Sequence, residues 1–183
     1  MLNKSVLVPI SSGIEEVEAV TIIDVLRRAL LNVRVSTIEE REISGANGIK
    51  LVADSAFIDE ALEDYDAIVL PGGTEGAERF SAFAPLTDAL KSFADSGQLV
   101  GAICASPALV LSKIGLLDNK RATSYPSFKQ HIKNYVDERV VVDGQIVTSQ
   151  GPGTAFLFAL RLVSLLVNDK AADDVAKGML VSP

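Results

Sequence analysis

Three short, almost wholly apolar runs constrain this chain most: Ser5–Ile10 (SVLVPI), Ala67–Leu70 (AIVL) and Leu99–Ile103 (LVGAI). A strand with one face in water alternates apolar and polar residues; these do not, so both faces need cover. Between the runs the period lengthens. Ala19, Ile22, Ile23, Leu26, Ala29 and Leu30 recur at helical spacing and make one apolar stripe. Ser12, with Glu15 three residues on, predicts a capping box at the start of that helix. Asn32–Ile38 reads as another strand, Pro85 opens a helix closing near Gly97, and Pro107–Ile114 reads as a helix. Arg139–Val142 and Gln145–Ser149 flank Asp143-Gly144, a type I′ hairpin signal, and two helices follow over Thr154–Val167 and Lys170–Gly178. The alternation predicts an α/β fold: a mostly parallel sheet, helices on both faces, a β-hairpin at one edge.

The 183 residues contain no linker, repeat or composition shift, so a single domain over 1–183 is expected. Seventeen basic against 24 acidic residues give a net charge of −7. With no Lys/Arg run, nucleic-acid and anionic-membrane partners are disfavoured. One cysteine excludes an intrachain disulfide, and one histidine excludes a His-rich metal site. Met1–Ile10 lacks the form of a secretory signal, and Ala155–Val167 is too short to span a bilayer. A soluble cytoplasmic protein is expected, with no organic cofactor and no structural metal.

Ligands of open parallel sheets bind beyond the carboxyl ends of the strands. Ser11–Glu18, Pro71–Gly76 and Cys104–Pro107 are the segments that reach this rim. Cys104 directly follows the strand Leu99–Ile103, with Ser106 suited to an N-cap and Pro107 to a first helical position. That is the layout of a nucleophile elbow. A helix N-terminus can bring a thiol from about 8.5 down to roughly 3.5–7.5, so a thiolate is expected. Gly72 and Gly73 allow another backbone N–H to approach the sulfur as an oxyanion-type donor. The competing reading is a buried structural cysteine. Of the nearby acids, Glu15 and Glu16 fit capping and helix-dipole roles, whereas Glu18 lies on the flank of the apolar stripe as a candidate proton partner. His131, in Ser127–Lys133, reads as solvated, and no phosphate-binding glycine loop is present.

Four segments in order resemble the ThiJ/PfpI superfamily, in the branch of the Parkinsonism-associated protein deglycase and bacterial YajL. They are Gly13-Ile14-Glu15-Glu16-Val17-Glu18, Val69-Leu70-Pro71-Gly72-Gly73, Ala102-Ile103-Cys104-Ala105 with Pro107, and Thr148-Ser149-Gln150-Gly151-Pro152-Gly153-Thr154. The resemblance implies a flavodoxin-like three-layer sandwich and a homodimer with the first helix and Val17 at its interface. It implies Cys104 as an oxidisable nucleophile, Glu18 as its acid/base partner, and the amides of Gly73 and Ala105 as holders of an oxyanion or oxidised sulfur. Gly72, Ser106, Tyr125 and Arg28 are expected to line the pocket, Arg28 from near the interface. Tyr125 stands where part of the family has histidine, and Asn47 where relatives carry an arginine. Ala105, where protease-type members have histidine, argues against peptide hydrolysis.

The activity so implied is a cysteine-dependent, glutathione-independent glyoxalase or protein deglycase, acting on α-oxoaldehydes or their early glycation adducts and protecting against oxidative stress. The alternative is a redox-sensing holdase chaperone whose cysteine is oxidised to sulfinate with little turnover. A dimeric scaffold with a vestigial cysteine is the third reading.

Overall fold

The computed structural model describes residues 4–181. In β1 (Ser5–Ile10), Val6 and Val8 enter one core and Leu7 the other, so the run has no solvent face. The chain continues through α1 (Glu16–Arg28), β2 (Asn32–Thr37), β3 (Glu42–Ser44), β4 (Lys50–Val52), β5 (Ser55–Ala56) and β6 (Ala67–Leu70). Next come α2 (Thr74–Ala82), α3 (Ala84–Asp95), β7 (Leu99–Ile103), β8 (Arg121–Ala122) and β9 (Asn134–Tyr135). The hairpin strands β10 (Val140–Asp143) and β11 (Ile146–Ser149), then α4 (Ala155–Leu166) and α5 (Asp169–Gly178), complete the fold.

The main sheet runs β10-β11-β7-β6-β1-β2-β5. Every neighbouring pair is parallel except β10–β11, which forms the predicted edge hairpin. Ile22 and Leu26 of α1, Phe158 and Leu162 of α4 and Val175 of α5 cover one face. Phe80 of α2 with Leu90 and Phe93 of α3 cover the other. This is the flavodoxin-like three-layer sandwich. From β1 the chain builds outward to β2 and β5, then crosses back to β6 on β1's other side. The carboxyl ends of β1, β6 and β7 therefore converge at a topological switch point, where such sheets open a crevice.

Local expectations fail in several places. The Ser12–Glu15 capping box does not form: α1 starts without a side-chain cap, and the Glu15 N–H donates to the Gly72 carbonyl at 3.0 Å. Packing of two loops replaces the local cap. The helix ends at Arg28, and Leu30, with φ +62°, turns outward at 75% exposure instead of closing the apolar stripe. Pro107–Ser112 forms a π-helical turn, not an α-helix reaching Ile114.

Candidate active site at the strand-to-helix turn

Cys104 leaves β7 in the left-handed region at φ +63°. A non-glycine residue there is strained by about 1–3 kcal/mol and stays only where its surroundings fix it. Here both backbone groups are fixed: Cys104 N–H donates to the Ser149 carbonyl at 3.0 Å, and Tyr125 N–H donates to the Cys104 carbonyl at 2.9 Å. Ser106, predicted as an N-cap, is itself helical in φ and ψ. Its buried hydroxyl instead donates to the Pro71 carbonyl at 2.5 Å, fastening the cysteine turn to the turn after β6. Gly72 occupies the space between the reacting groups. A Cβ there would lie 2.5 Å from the Cys104 Cβ and 2.7 Å from Glu18 Oε2.

Glu18, in the first turn of α1, is fully buried and turned toward the cysteine. Its Oε2 accepts the Gly72 N–H at 2.7 Å, while Oε1 has no oxygen or nitrogen partner. Burial pushes its carboxyl up to about 7; hydrogen bonds from Gly72 and Cys104 oppose this, and the charge of Glu15 adds to it. Burial, then the charge of Glu18, pushes the Cys104 thiol up to about 12, against the pull of the Gly73 and Ala105 amides on its sulfur. Both effects oppose the lowering of this thiol expected of a helix N-terminus. A six-residue π turn offers little dipole, and burial beside a carboxylate outweighs it. A buried carboxylate and a half-buried thiolate facing each other are not tolerated together, so the pair titrates as a coupled unit.

A cavity of about 340 Å3 opens at the sulfur, and Gly73, Tyr125, Thr74, Phe128 and Pro152 are among its lining residues. Of the residues expected to line it, Tyr125 does; Gly72 and Ser106 do not, because Gly72 packs against the Cys104 Cβ and the buried Ser106 hydroxyl is spent on the Pro71 carbonyl. Arg28 does not join the lining residues. It sits ten residues beyond Glu18, about 15 Å along a helix, and pairs with Asp24 at 2.8 Å. His131 is exposed, tilted against Phe128, and lies outside this cavity. Sequence reasoning missed Glu15 and Ala46, which line the cavity, and the buried role of Glu16. Among the described residues no cluster of three or more His, Cys, Asp or Glu could hold a metal.

A doubly wound parallel sheet with a strained cysteine turn at its switch point defines a flavodoxin-like, cysteine-elbow class of protein. Residues 4–165 match the DJ-1/PfpI family, and the chain belongs to it. DJ-1 homolog B of Arabidopsis thaliana is 45% identical over 96% of this chain. The chain spans less than half of that relative and of DJ-1 homolog A from the same plant, 41% and 46% of their lengths. The glutathione-independent glyoxalase DJR-1.2 of Caenorhabditis elegans is 32% identical, covering 92% of this chain and 91% of its own. Among solved structures, oxidized DJ-1 of Toxoplasma gondii superimposes with a TM-score of 0.96 at 41% identity, covering 98% of this chain and 100% of that one.

Proposed function

We propose that the chain is a cysteine-dependent, glutathione-independent glyoxalase that converts α-oxoaldehydes to 2-hydroxy acids, and that early glycation adducts on proteins are its larger substrates. One observation carries the reading: a fully buried carboxyl, titrating near 7, facing the only cysteine at the base of an open cavity. A general acid/base works best with a pKa near the working pH. We place the shared proton on Glu18 for the attack, because the Gly73 and Ala105 amides favour charge on the sulfur, whereas the carboxylate has one backbone donor, Gly72.

In this scheme the Cys104 thiolate attacks the aldehyde carbon and a C–S bond forms. Glu18 gives its proton to the oxygen, leaving a hemithioacetal. The Glu18 carboxylate then removes the hydrogen from that carbon and returns a proton to the neighbouring carbonyl carbon, while the hydroxyl proton of the adduct passes to the neighbouring oxygen. The adduct becomes a thioester of the hydroxy acid with no external oxidant. Water cleaves the thioester, releasing the acid and restoring the thiol. The Gly73 and Ala105 amides stabilise the oxyanions along the way. The relative named as a glutathione-independent glyoxalase supports this reading. The test is lactate formation from methylglyoxal by purified protein without glutathione. Turnover is expected in the parent, none in Cys104→Ser, and a loss on the order of 100-fold or more in Glu18→Gln. Unchanged turnover in either variant would reject the scheme.

A redox-sensing holdase is the second reading. Its specific support is that Cys104 has no second thiol in the chain to resolve a sulfenate, and that one close relative was solved oxidized. Mild peroxide adding two oxygens to Cys104, with negligible aldehyde turnover, would favour it. For either reading the proposed assembly is a homodimer over the outer face of α1, where Val17 and Val20 are 53% and 48% exposed. Val17→Asp should then shift the mass in light scattering toward the monomer. Each chain is proposed to act as one domain, because both cores are built on a single sheet.

A further inference from the structure

We propose that Glu16 is a positioning residue that sets which substrates fit the Cys104 cavity, by clamping the 45–49 turn into its wall. Glu16 stands on the same helical turn as Glu18 but serves the β3–β4 connection. It is 2% exposed. Its Oε1 accepts the N–H groups of Asn47 at 2.7 Å and Ile49 at 3.2 Å, and its Oε2 accepts the Asn47 side-chain amide at 3.0 Å.

The fit has no slack. A Cβ on Gly45 would lie 2.3 Å from the Glu16 carboxyl carbon, so only glycine admits the carboxylate beneath the turn. Two further bonds stitch the turn to the loop before α1: Gly13 N–H to the Ser44 carbonyl at 2.9 Å, and Ala46 N–H to the Ile14 carbonyl at 2.8 Å. Ala46 in turn lines the cavity beside Glu15, Tyr125 and Cys104. One buried carboxylate thus satisfies three donors of an otherwise exposed turn whose second residue forms part of the cavity wall. Removing a charged acceptor from several donors at once leaves those donors unsatisfied, which favours local opening over global unfolding. Glutamine at this position turns an NH2 toward groups that are all donors.

This inference rests on Cys104 being the reacting group but not on aldehyde chemistry, and its test reads the thiol itself. Rates of Cys104 alkylation by iodoacetamide and by N-phenylmaleimide are compared in the parent, Glu16→Gln and Asn47→Ala, across pH. In Glu16→Gln the rate for the bulky reagent relative to the small one is expected to rise by about threefold or more, and hydrogen exchange at 46–49 by about tenfold. The apparent pKa of alkylation should not move. Asn47→Ala, an exposed position, should shift the ratio the same way by a smaller factor, and it carries the test if Glu16→Gln does not fold. An unchanged ratio in the foldable variant overturns the proposal. So does a ratio that rises only together with a displaced pKa, because Glu16 would then act on the thiol and not on the wall. If the ratio rises but methylglyoxal is not turned over, the glyoxalase reading fails and this one stands.

Discussion

Glu16 and Glu18 lie two residues apart in the first turn of α1, both buried, yet their carboxyls titrate in opposite directions. Burial works against ionisation at Glu16, but the Asn47 side chain and the backbone N–H groups of Glu16, Asn47 and Ile49 outweigh it and hold the carboxyl low. Glu18 receives a single backbone donor and is pushed up to about 7. Heavier burial with one backbone donor at Glu18, against several donors at Glu16, separates a proton carrier from a structural anion.

Stability should carry the mark of Glu18. The folded Glu18–Cys104 pair gives up its first proton near 7, whereas the unfolded chain gives up that of Glu18 near 4.5, so this contribution is complete below about 4.5 and is lost as pH climbs through about 7. Relative to Glu18→Gln, the parent should lose about 3 kcal/mol of unfolding free energy between pH 4.5 and 8, read by urea denaturation at each pH. A difference that is flat across this range would mean that the carboxyl is not buried as described.

Alkylation of Cys104 should develop in two steps. With the shared proton on Glu18, thiolate appears through a first step near 7, and a second step follows toward 12 as the last proton leaves the pair. Glu18→Gln removes the second charge and should leave one step. A parent profile with only the alkaline step would place the proton on sulfur.

The positive φ of Cys104 should invert a familiar order of substitutions. Glycine normally destabilises a buried site relative to alanine, but at φ +63° it is free of the Cβ penalty. Cys104→Gly should be more stable than Cys104→Ala by about 1 kcal/mol in chemical denaturation. The reverse order would indicate a relaxed turn.

Gly72→Ala should injure both fold and chemistry. Its methyl would sit 2.5 Å from the Cys104 Cβ and 2.8 Å from the Ile103 carbonyl, contacts with backbone and a short side chain that cannot swing aside. Overpacking of this kind costs about 1–3 kcal/mol. Iodoacetamide modification of the folded protein should change with it, because the methyl also displaces Glu18 Oε2. Parent-like stability and alkylation would mean the two turns do not meet at Gly72.

The sheet and its layers were legible in the sequence because burial on both faces leaves a direct trace: runs such as Ala67–Leu70 with no polar residue. Cys104 could be found for a similar reason, since a strand end followed by a serine and a proline specifies a turn locally. Where local rules compete with loop packing they lost: Ser12 and Glu15 had the spacing of a capping box, but the Glu15 amide found the Gly72 carbonyl. Ser106 likewise gave its hydroxyl to Pro71, 35 residues away in sequence.

Periodicity by itself determined the long strands, the helices α1, α3, α4 and α5, and that a lone cysteine stands at a strand end, since each leaves its pattern within a few residues; α2 and the short strands β3, β4, β5, β8 and β9 left no such pattern. Tertiary structure alone decided how the acids divide their work. Which of Glu15, Glu16 and Glu18 is wet, anchored or protonated depends on donors brought in from Gly72 and from the 45–49 turn. The electrostatics of a buried charge are set by neighbours in space, and the order of residues along one helix does not contain them.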